Sequence, residues 1–156
     1  MARHEKFNFR SLTELRDRIA ALGVESDIPL EEDLSPLAWP VALQGLRAPN
    51  SLGIHPMEGC DGTAGGAPAE LTLRRYDRFA RGGAGLLWFE ATAVVPEARA
   101  NPRQLWLHSG NVGEYAQMVR RTERNARQAF GTDHRPVTVL QLTHSGRYSK
   151  PIDKPT

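Results

Sequence analysis

The second half of the sequence alternates continuous apolar runs with amphipathic stretches. The apolar runs cover residues 52–57, 84–90 and 136–142, and the amphipathic stretches cover residues 68–81 and 111–130. Short apolar runs predict strands buried on both faces, whereas apolar positions three and four residues apart predict helices. Strands that alternate with helices are typical of a parallel sheet built from right-handed crossovers. Two architectures remain open on this pattern, the doubly wound sheet and the closed eight-stranded barrel.

The first amphipathic stretch has the end signals of a helix over residues 68–81. Pro68 suits the first helical position and Glu70 suits the first turn, while Gly82 and Gly83 end the helix. The buried face is expected to contain Leu71, Tyr76 and Phe79.

The second amphipathic stretch predicts a long helix over residues 111–130. Asn111 and Glu114 form a candidate capping box, and Gly131 follows the last helical residue. The inner stripe is expected to contain Tyr115, Met118, Val119, Thr122 and Ala126.

The first third of the chain is less regular. Residues 11–22 predict a short helix, with a capping box of Ser11 and Glu14 at its start and Gly23 at its end. An acidic stretch with prolines follows and is typical of a loop. Two short extended runs, residues 39–43 and 46–48, flank Gln44-Gly45 and predict a small hairpin.

Composition excludes several classes of function. The 156 residues carry a net charge of +2, with 40% hydrophobic and 24% charged residues, which is typical of a globular domain and gives no reason to expect nucleic acid as a partner. No apolar run approaches the roughly 18 residues that a membrane span needs. A single cysteine, Cys60, allows no intramolecular disulfide, so we expect a cytoplasmic protein that does not bind a membrane.

Polar side chains follow all three predicted strands. The first strand runs into residues 55–62, the second into residues 90–94 and the third into residues 141–147. In both open architectures, chemistry gathers at the carboxyl ends of parallel strands. These three segments are therefore the candidate functional residues.

Three motifs in these segments resemble the old yellow enzyme family. They are Pro56-Met57, Glu90-Ala91-Thr92-Ala93-Val94 with Arg99 downstream, and Gln141-Leu142-x-His144-x-Gly146-Arg147, with Asn50 placed before the first strand. Their order and spacing fit the family, and the third motif is the most specific. The resemblance covers residue 37 to the end of the chain. It implies the N-terminal part of a TIM (β/α)8 barrel, about three of eight strands, over residues 37–156, preceded by an extension with a short helix over residues 1–36.

The resemblance implies a flavoprotein that binds FMN. Such an oxidoreductase takes hydride from NADH or NADPH and passes it through the flavin to an activated alkene, the small-molecule substrate. Carried over by position, Pro56, Met57 and Ala91 line the flavin ring, and Gln141 bonds its pyrimidine end through an amide that donates and accepts. The catalytic residues of the family are expected downstream of residue 156, so none is assigned within this chain.

Glu58 departs from the family pattern, which often has Thr or Cys directly after the Pro-Met pair. A carboxylate beside the flavin would disfavour the electron-rich reduced form, and the flavin potential of Glu58→Thr tests that expectation. A Glu58 that turns away to bond a loop amide is the alternative. Cys60, Arg99, His144 and Arg147 are the candidate substrate-side residues, and for His144 and Arg147 a loop-anchoring role is equally open.

Two other patterns in the sequence indicate neither a phosphate loop nor a metal site. The glycines at 82, 83 and 85 lie between a helix and a strand, whereas a phosphate loop requires a strand, then glycines, then a helix. The five histidines have no paired ligand spacing, so we expect no metal site.

A closed barrel takes roughly 250 residues, and the chain reaches only a third strand. We therefore expect that these 156 residues alone bind FMN poorly and do not turn over substrate. Two alternatives stay open. One is a non-catalytic half-barrel that associates with itself, as a homo-oligomer, or with another chain. The other is a different phosphate-binding barrel enzyme, against which the Gln141 motif and the lack of lysines at the strand ends weigh.

Overall fold

The computed structural model describes residues 6–154. The chain divides into two compact units between Leu34 and Ser35. The first unit contains helix α1, Leu12–Leu22, whose start and end follow the predicted signals. The Ser11 hydroxyl accepts a hydrogen bond from the Glu14 amide at 3.1 Å. Gly23 ends the helix in the left-handed region, with φ of 66°, which glycine adopts without steric cost.

The second unit begins with a short 3-10 turn, Ser35–Ala38, and the predicted hairpin. Strand β1, Val41–Leu43, pairs antiparallel with strand β2, Leu46–Ala48. Gln44 and Gly45 connect the two strands, and both have positive φ, 42° and 90°. Two such residues match the twist of a tight hairpin, so the hairpin prediction is confirmed.

The core of the second unit is a three-stranded parallel sheet. Its strands are β3, Gly53–Ile54, β4, Leu86–Ala93, and β5, Val137–Thr143, in the spatial order β3-β4-β5. The parallel pairing of the three strands confirms the prediction from the apolar runs. The register aligns Gly53 with Leu86 and Leu86 with Val137.

Strand β3 is shorter than the predicted strand of residues 52–57. Pro56 has no amide hydrogen to donate to a neighbouring strand, so pairing cannot continue through it. The Met57 amide donates instead to the His55 carbonyl at 2.8 Å, a tight local turn. The chain therefore leaves the sheet directly after Ile54, and the residues that carry the first motif lie in a loop.

Helix α2, Glu70–Arg81, connects β3 and β4, and its predicted buried face is partly wrong. Tyr76 is buried as expected and Phe79 is half-buried, but Leu71 is 51% exposed. The buried stripe runs instead through Thr72, Tyr76 and Ala80, which are spaced four residues apart. Leu71 lies one residue off this stripe, about 100° around the helix, and faces away from the sheet.

Helix α3, Val112–Phe130, connects β4 and β5 and buries the predicted stripe except for Val119, which is half-buried. The predicted capping box is wrong. The Asn111 side chain accepts from the His108 amide at 2.9 Å and donates to the Trp106 carbonyl at 2.8 Å. Asn111 therefore holds the incoming loop rather than the first turn of the helix.

The helices cover one face of the sheet. Leu87 and Phe89 of β4 are buried against α2 and α3, whereas Trp88, which points to the opposite face, is 39% exposed. Trp88 therefore departs from the expectation that this strand is covered on both faces, whereas the five residues from Phe89 to Ala93 are all buried. The larger core cluster contains Tyr76, Phe89, Leu105, Tyr115 and Met118, and the smaller one contains Ala80, Ala84, Leu87 and Ala126.

Alanine substitutions at Gly85, just before β4, and at Gly53, in β3, should differ in their effect on the free energy of unfolding. A Cβ at Gly85 would overlap the Asn50 carbonyl oxygen, whereas a Cβ at Gly53 would lie 3.6 Å from the Leu86 side chain, an ordinary contact. Gly85→Ala should lower the free energy of unfolding by about 2 kcal/mol because the backbone of residue 50 must move. Gly53→Ala, the matched control, should change it by about 0.5 kcal/mol or less. Urea denaturation of both variants measures the difference, and equal losses would contradict this account.

Candidate functional site

Residues from all three parallel strands line one cavity. This cavity has a volume of about 400 Å³. It is lined by Gly53, Ile54, His55, Pro56, Leu86, Trp88 and Gln141. Because β3 ends at Ile54 and Gln141 lies near the end of β5, the sheet brings the first and third motifs together. The walls are mainly apolar, and Gln141 places a primary amide among them, which can donate and accept hydrogen bonds.

Met57 and Ala91 lie differently from Pro56 and Gln141. The Met57 side chain is 74% exposed, in the loop just beyond the cavity wall. Ala91 is buried, and its carbonyl accepts a hydrogen bond from the Gln104 amide at 3.1 Å. The fully buried Gln104 also accepts from the Ala100 amide at 2.5 Å, so its side chain ties the end of β4 to the following loop.

The second motif contributes a buried carboxylate, Glu90, which is 0% exposed. One carboxylate oxygen accepts from the Arg75 guanidinium of α2, and the other accepts from the Gly59 amide at 2.9 Å. The Tyr76 hydroxyl accepts from the Glu90 amide at 2.7 Å. These contacts join the end of β4 to the loop after β3 and to helix α2.

Arg75 also binds a second carboxylate, Asp61, from the loop after β3. Its Nη1 donates to Asp61 Oδ2 at 2.6 Å, and the Thr72 hydroxyl donates to Asp61 Oδ1 at 2.6 Å. Arg75 therefore bridges Asp61 and Glu90, and these three side chains are called the Arg75 cluster below. Arginine suits this role because its planar fork offers several donors in fixed directions.

The protonation equilibria of the cluster differ between its two carboxylates. Burial raises the pKa of Glu90, and the hydrogen bonds from Gly59 and Arg75 only partly oppose that rise. The pKa of Asp61 is lowered even though burial opposes it, because its hydrogen bonds from Arg75 and Thr72 stabilise the charged form. Asp61 is thus the carboxylate that Arg75 keeps ionised.

Glu58 and Cys60 lie on the same loop. Burial, together with the charge of Glu90, raises the pKa of Glu58. Cys60 is exposed and adopts a positive φ of 50°, and its sulfur accepts a hydrogen bond from the side-chain amide of Asn101 at 3.0 Å. Burial and the charge of Glu58 raise the pKa of the Cys60 thiol, so at neutral pH the reactive thiolate is disfavoured.

Arg99 is buried and holds loops together. Its Nη1 donates to the carbonyls of Ala64 and Pro102, each at 3.0 Å, and its guanidinium lies 5.6 Å from the centre of the Trp106 ring. The structure thus gives Arg99 a set of loop contacts, while its substrate-side role stays a prediction.

His144 and Arg147 are exposed in the loop after β5. The His144 ring nitrogen Nδ1 accepts from the Gly146 amide at 3.0 Å, and Arg147 donates to the Tyr148 hydroxyl at 2.9 Å. These contacts are local to the loop. The structure does not place either residue in the lining of the cavity that holds Gln141.

Sequence reasoning missed the roles of Asp61, Arg75 and Gln104. Asp61 belongs to a polar strand end, but nothing in the pattern shows which cation neutralises it. Arg75 is one of several arginines on α2, and helical periodicity alone does not separate it from exposed neighbours such as Arg74. The signal that could have found it is Glu90 in an otherwise apolar strand, because a buried carboxylate requires a cation nearby.

Residues 6–154 contain neither a metal-binding cluster nor a membrane span. No group of three or more histidine, cysteine, aspartate or glutamate side chains in this range could hold a metal ion. No helix in this range is long and apolar enough to cross a membrane.

The lowered pKa of Asp61 predicts acid sensitivity. A carboxyl group with a depressed folded pKa stabilises the fold above its unfolded pKa, and this contribution is lost as pH falls through the folded pKa. Asp61→Asn should therefore reduce the free energy of unfolding by about 3 kcal/mol near pH 7, because it leaves Arg75 without one partner. The difference from the unmodified chain should shrink once the pH falls below about 4.

Urea denaturation at a series of pH values measures this difference. Asp133→Asn, at an exposed position, is the matched control and should show no such dependence on pH. A loss for Asp61→Asn that is the same at acid and neutral pH would show that the ionised form of Asp61 does not stabilise the fold.

The fold is similar to that of several old yellow enzyme and morphinone reductase structures. No protein-family profile matches the sequence. The old yellow enzyme from Trypanosoma cruzi is 23% identical, with a TM-score of 0.60 over 75% of this chain and 29% of that chain. The old yellow enzyme from Pichia sp. is 19% identical, with a TM-score of 0.62 over 74% of this chain and 28% of that chain. Morphinone reductase in complex with tetrahydroNAD is 25% identical, with a TM-score of 0.54 over 72% of this chain and 28% of that chain.

The chain spans only 17 to 30% of the length of the reductase structures that it matches. From β3 to β5 the chain has the order strand, helix, strand, helix, strand that the alternating apolar and amphipathic runs predicted. The chain is therefore similar in fold to the N-terminal portion of the old yellow enzymes.

Proposed function

We propose that this chain forms the first three strands of an FMN-dependent barrel that reduces activated alkenes with NADH or NADPH. The observation that carries the proposal is the shared cavity of Pro56 and Gln141, residues from two separate motifs that lie 85 positions apart. An ordinary turn at each strand end would not require these two residues to line one cavity.

The lining of this cavity fits one end of a flavin. The pyrimidine end of the ring system carries both donors and acceptors, and the amide of Gln141 can complement both. Pro56 and Trp88 supply flat, apolar surface of the kind that binding sites for aromatic cofactors use. FMN would supply the hydride chemistry here, and the protein residues would bind and orient it.

Three further residues are proposed to lie beside the flavin. Met57 is exposed directly beside Pro56, so its side chain is free to cover one ring face. Ala91 lies at the end of the neighbouring strand β4 and offers a close approach without a bulky side chain. Glu58 follows Met57 and would bring a carboxyl group near the ring.

The rest of the activity is proposed to need more of the barrel. The chain covers less than a third of the reductases that it resembles, and their remaining strands would have to supply the phosphate site and the catalytic residues. Morphinone reductase, one of these structures, binds tetrahydroNAD, and this supports a nicotinamide as the proposed reductant. The substrate-side roles of Cys60 and the loop after β5 belong to the same proposal.

The proposal predicts that Gln141 contributes to flavin binding. Gln141→Leu should weaken the binding of FMN about tenfold, because one hydrogen-bonding group of the flavin loses its partner in an apolar cavity. Gln128→Leu, the same change at an exposed position of α3, is the control and should leave the affinity unchanged. Titration of FMN with the purified chain and with a version extended to a full barrel, followed by quenching of flavin fluorescence, measures both affinities.

Two results would count against the proposal. Equal affinities for the Gln141 and Gln128 variants would remove Gln141 from the flavin site. FMN that fails to bind both to this chain and to a version extended to a full barrel would reject flavin as the cofactor and favour a binding module without catalysis.

A further inference from the structure

The guanidinium of Arg75 packs against the loop that leaves β3. A Cβ at Gly59 would overlap the guanidinium of Arg75, so the backbone at Gly59 passes against the planar group. On one side of this contact the Gly59 amide donates to Glu90, and on the other side Asp61 accepts from Arg75. The backbone is therefore fixed on both sides of Cys60.

The fixed point at Gly59 determines where the preceding residues lie. Strand β3 holds the chain up to Ile54, and only residues 55–58 separate that strand from Gly59. Within this short segment the Met57 amide is already bonded to the His55 carbonyl. A segment this short with both ends held has few conformations, so the position of Gly59 sets the positions of Met57 and Glu58.

Arg75 in turn orients Glu90. The carboxylate of Glu90 is buried, so without a cation it would be expected to take up a proton or to rearrange. Arg75 binds one of its two oxygens, and this leaves the other directed at the Gly59 amide. The guanidinium acts on the loop directly through Asp61 and indirectly through Glu90.

We propose that Arg75 is a positioning residue that holds residues 56–59 in place by bridging Asp61 and Glu90. Its importance for the cofactor rests on the proposed function, since Pro56, Met57 and Glu58 are the residues assigned to the flavin. The positioning of the loop itself does not depend on that assignment. Arg75 is not placed in contact with any substrate or cofactor.

The test follows one hydrogen bond in the isotopically labelled chain. Amide hydrogen exchange of Gly59 reports its bond to Glu90, and exchange of Ala93, which donates to the Leu105 carbonyl at 2.8 Å, reports whether the end of β4 stays folded against the following loop. Arg75→Ala should lower the protection of Gly59 at least about tenfold relative to Ala93, because the oriented acceptor is lost. Arg74→Ala, one residue away and exposed, is the matched control and should leave the ratio unchanged.

Chemical rescue separates positioning from a general loss of structure. Methylguanidinium should restore the Gly59 protection of Arg75→Ala, because it refills the space with a planar group that can bridge two carboxylates. Methylammonium, at the same concentration, should not restore it. Rescue by both cations would show that charge alone suffices and would overturn the bridging role.

A second variant covers the case in which Arg75→Ala does not fold. The double variant of Arg75→Ala with Glu90→Gln removes the fully buried carboxylate together with its cation, and Asp61, which is only partly buried, keeps its hydrogen bond from Thr72, so Ala93 should keep its protection. Gly59 should still lose protection, because nothing orients residue 90. Unchanged Gly59 protection in whichever variant retains the protection of Ala93 would overturn the proposal.

Titration with FMN then distinguishes the two proposals. A fall in FMN affinity of about tenfold for Arg75→Ala, reversed by methylguanidinium and absent in Arg74→Ala, supports positioning of the flavin residues. If neither the unmodified chain nor a version extended to a full barrel binds FMN, the proposed function fails while the Gly59 exchange still decides the role of Arg75. If FMN binds equally to both arginine variants although Gly59 has lost its protection, the link between the loop and the cofactor is overturned.

Discussion

The arrangement of the strand ends depends on one buried charge pair, Glu90 with Arg75. Glu90 lies on the central strand with no solvent exposure, so its carboxylate must be neutralised within the protein. Arg75 reaches it from α2 and binds Asp61 at the same time, which joins strand, helix and loop in one set of contacts. Breaking such a pair by removing one partner typically costs about 3–5 kcal/mol, a large part of the whole stability of many domains. The loop after β3 therefore has its conformation for electrostatic reasons as much as for packing.

The sequence predicted the secondary structure well wherever the signal is local. The helix with Ser11 at its start, the hairpin around Gln44 and the parallel strands all follow from caps, turn residues and apolar runs. Errors arose where tertiary contacts decide. Leu71 is exposed because Thr72, a smaller and more polar residue, occupies the stripe that faces the sheet. Asn111 resembles a helix cap, but its side chain serves the loop before the helix instead. Periodicity fixes which residues share a face and leaves open which face is buried.

The same distinction between local sequence signals and tertiary contacts applies to the candidate site. Pro56 and Gln141 could be placed together from the sequence, because parallel strands bring their carboxyl ends to the same edge. Asp61 and Arg75 could not be paired, since they lie 14 residues apart in a loop and a helix whose relative position only the folded structure fixes. Arg99, a predicted substrate-side residue, has loop carbonyls as its partners, and no pattern in its own segment indicates them. Motifs thus identify where chemistry is concentrated, but the contacts that hold the motif in place come from elsewhere in the chain.

The charged side chains around the loop after β3 determine how readily its carboxyl groups ionise. Glu58, Asp61 and Glu90 are three carboxyl groups with one guanidinium among them, and Arg75 holds Asp61 in its charged form. Burial raises the pKa values of Glu58 and Glu90, so the surroundings of these two carboxyl groups disfavour their charged forms. Of these three carboxyl groups, only Asp61 has hydrogen bonds that outweigh the effect of burial, so negative charge on the loop is stabilised where the loop is attached to α2.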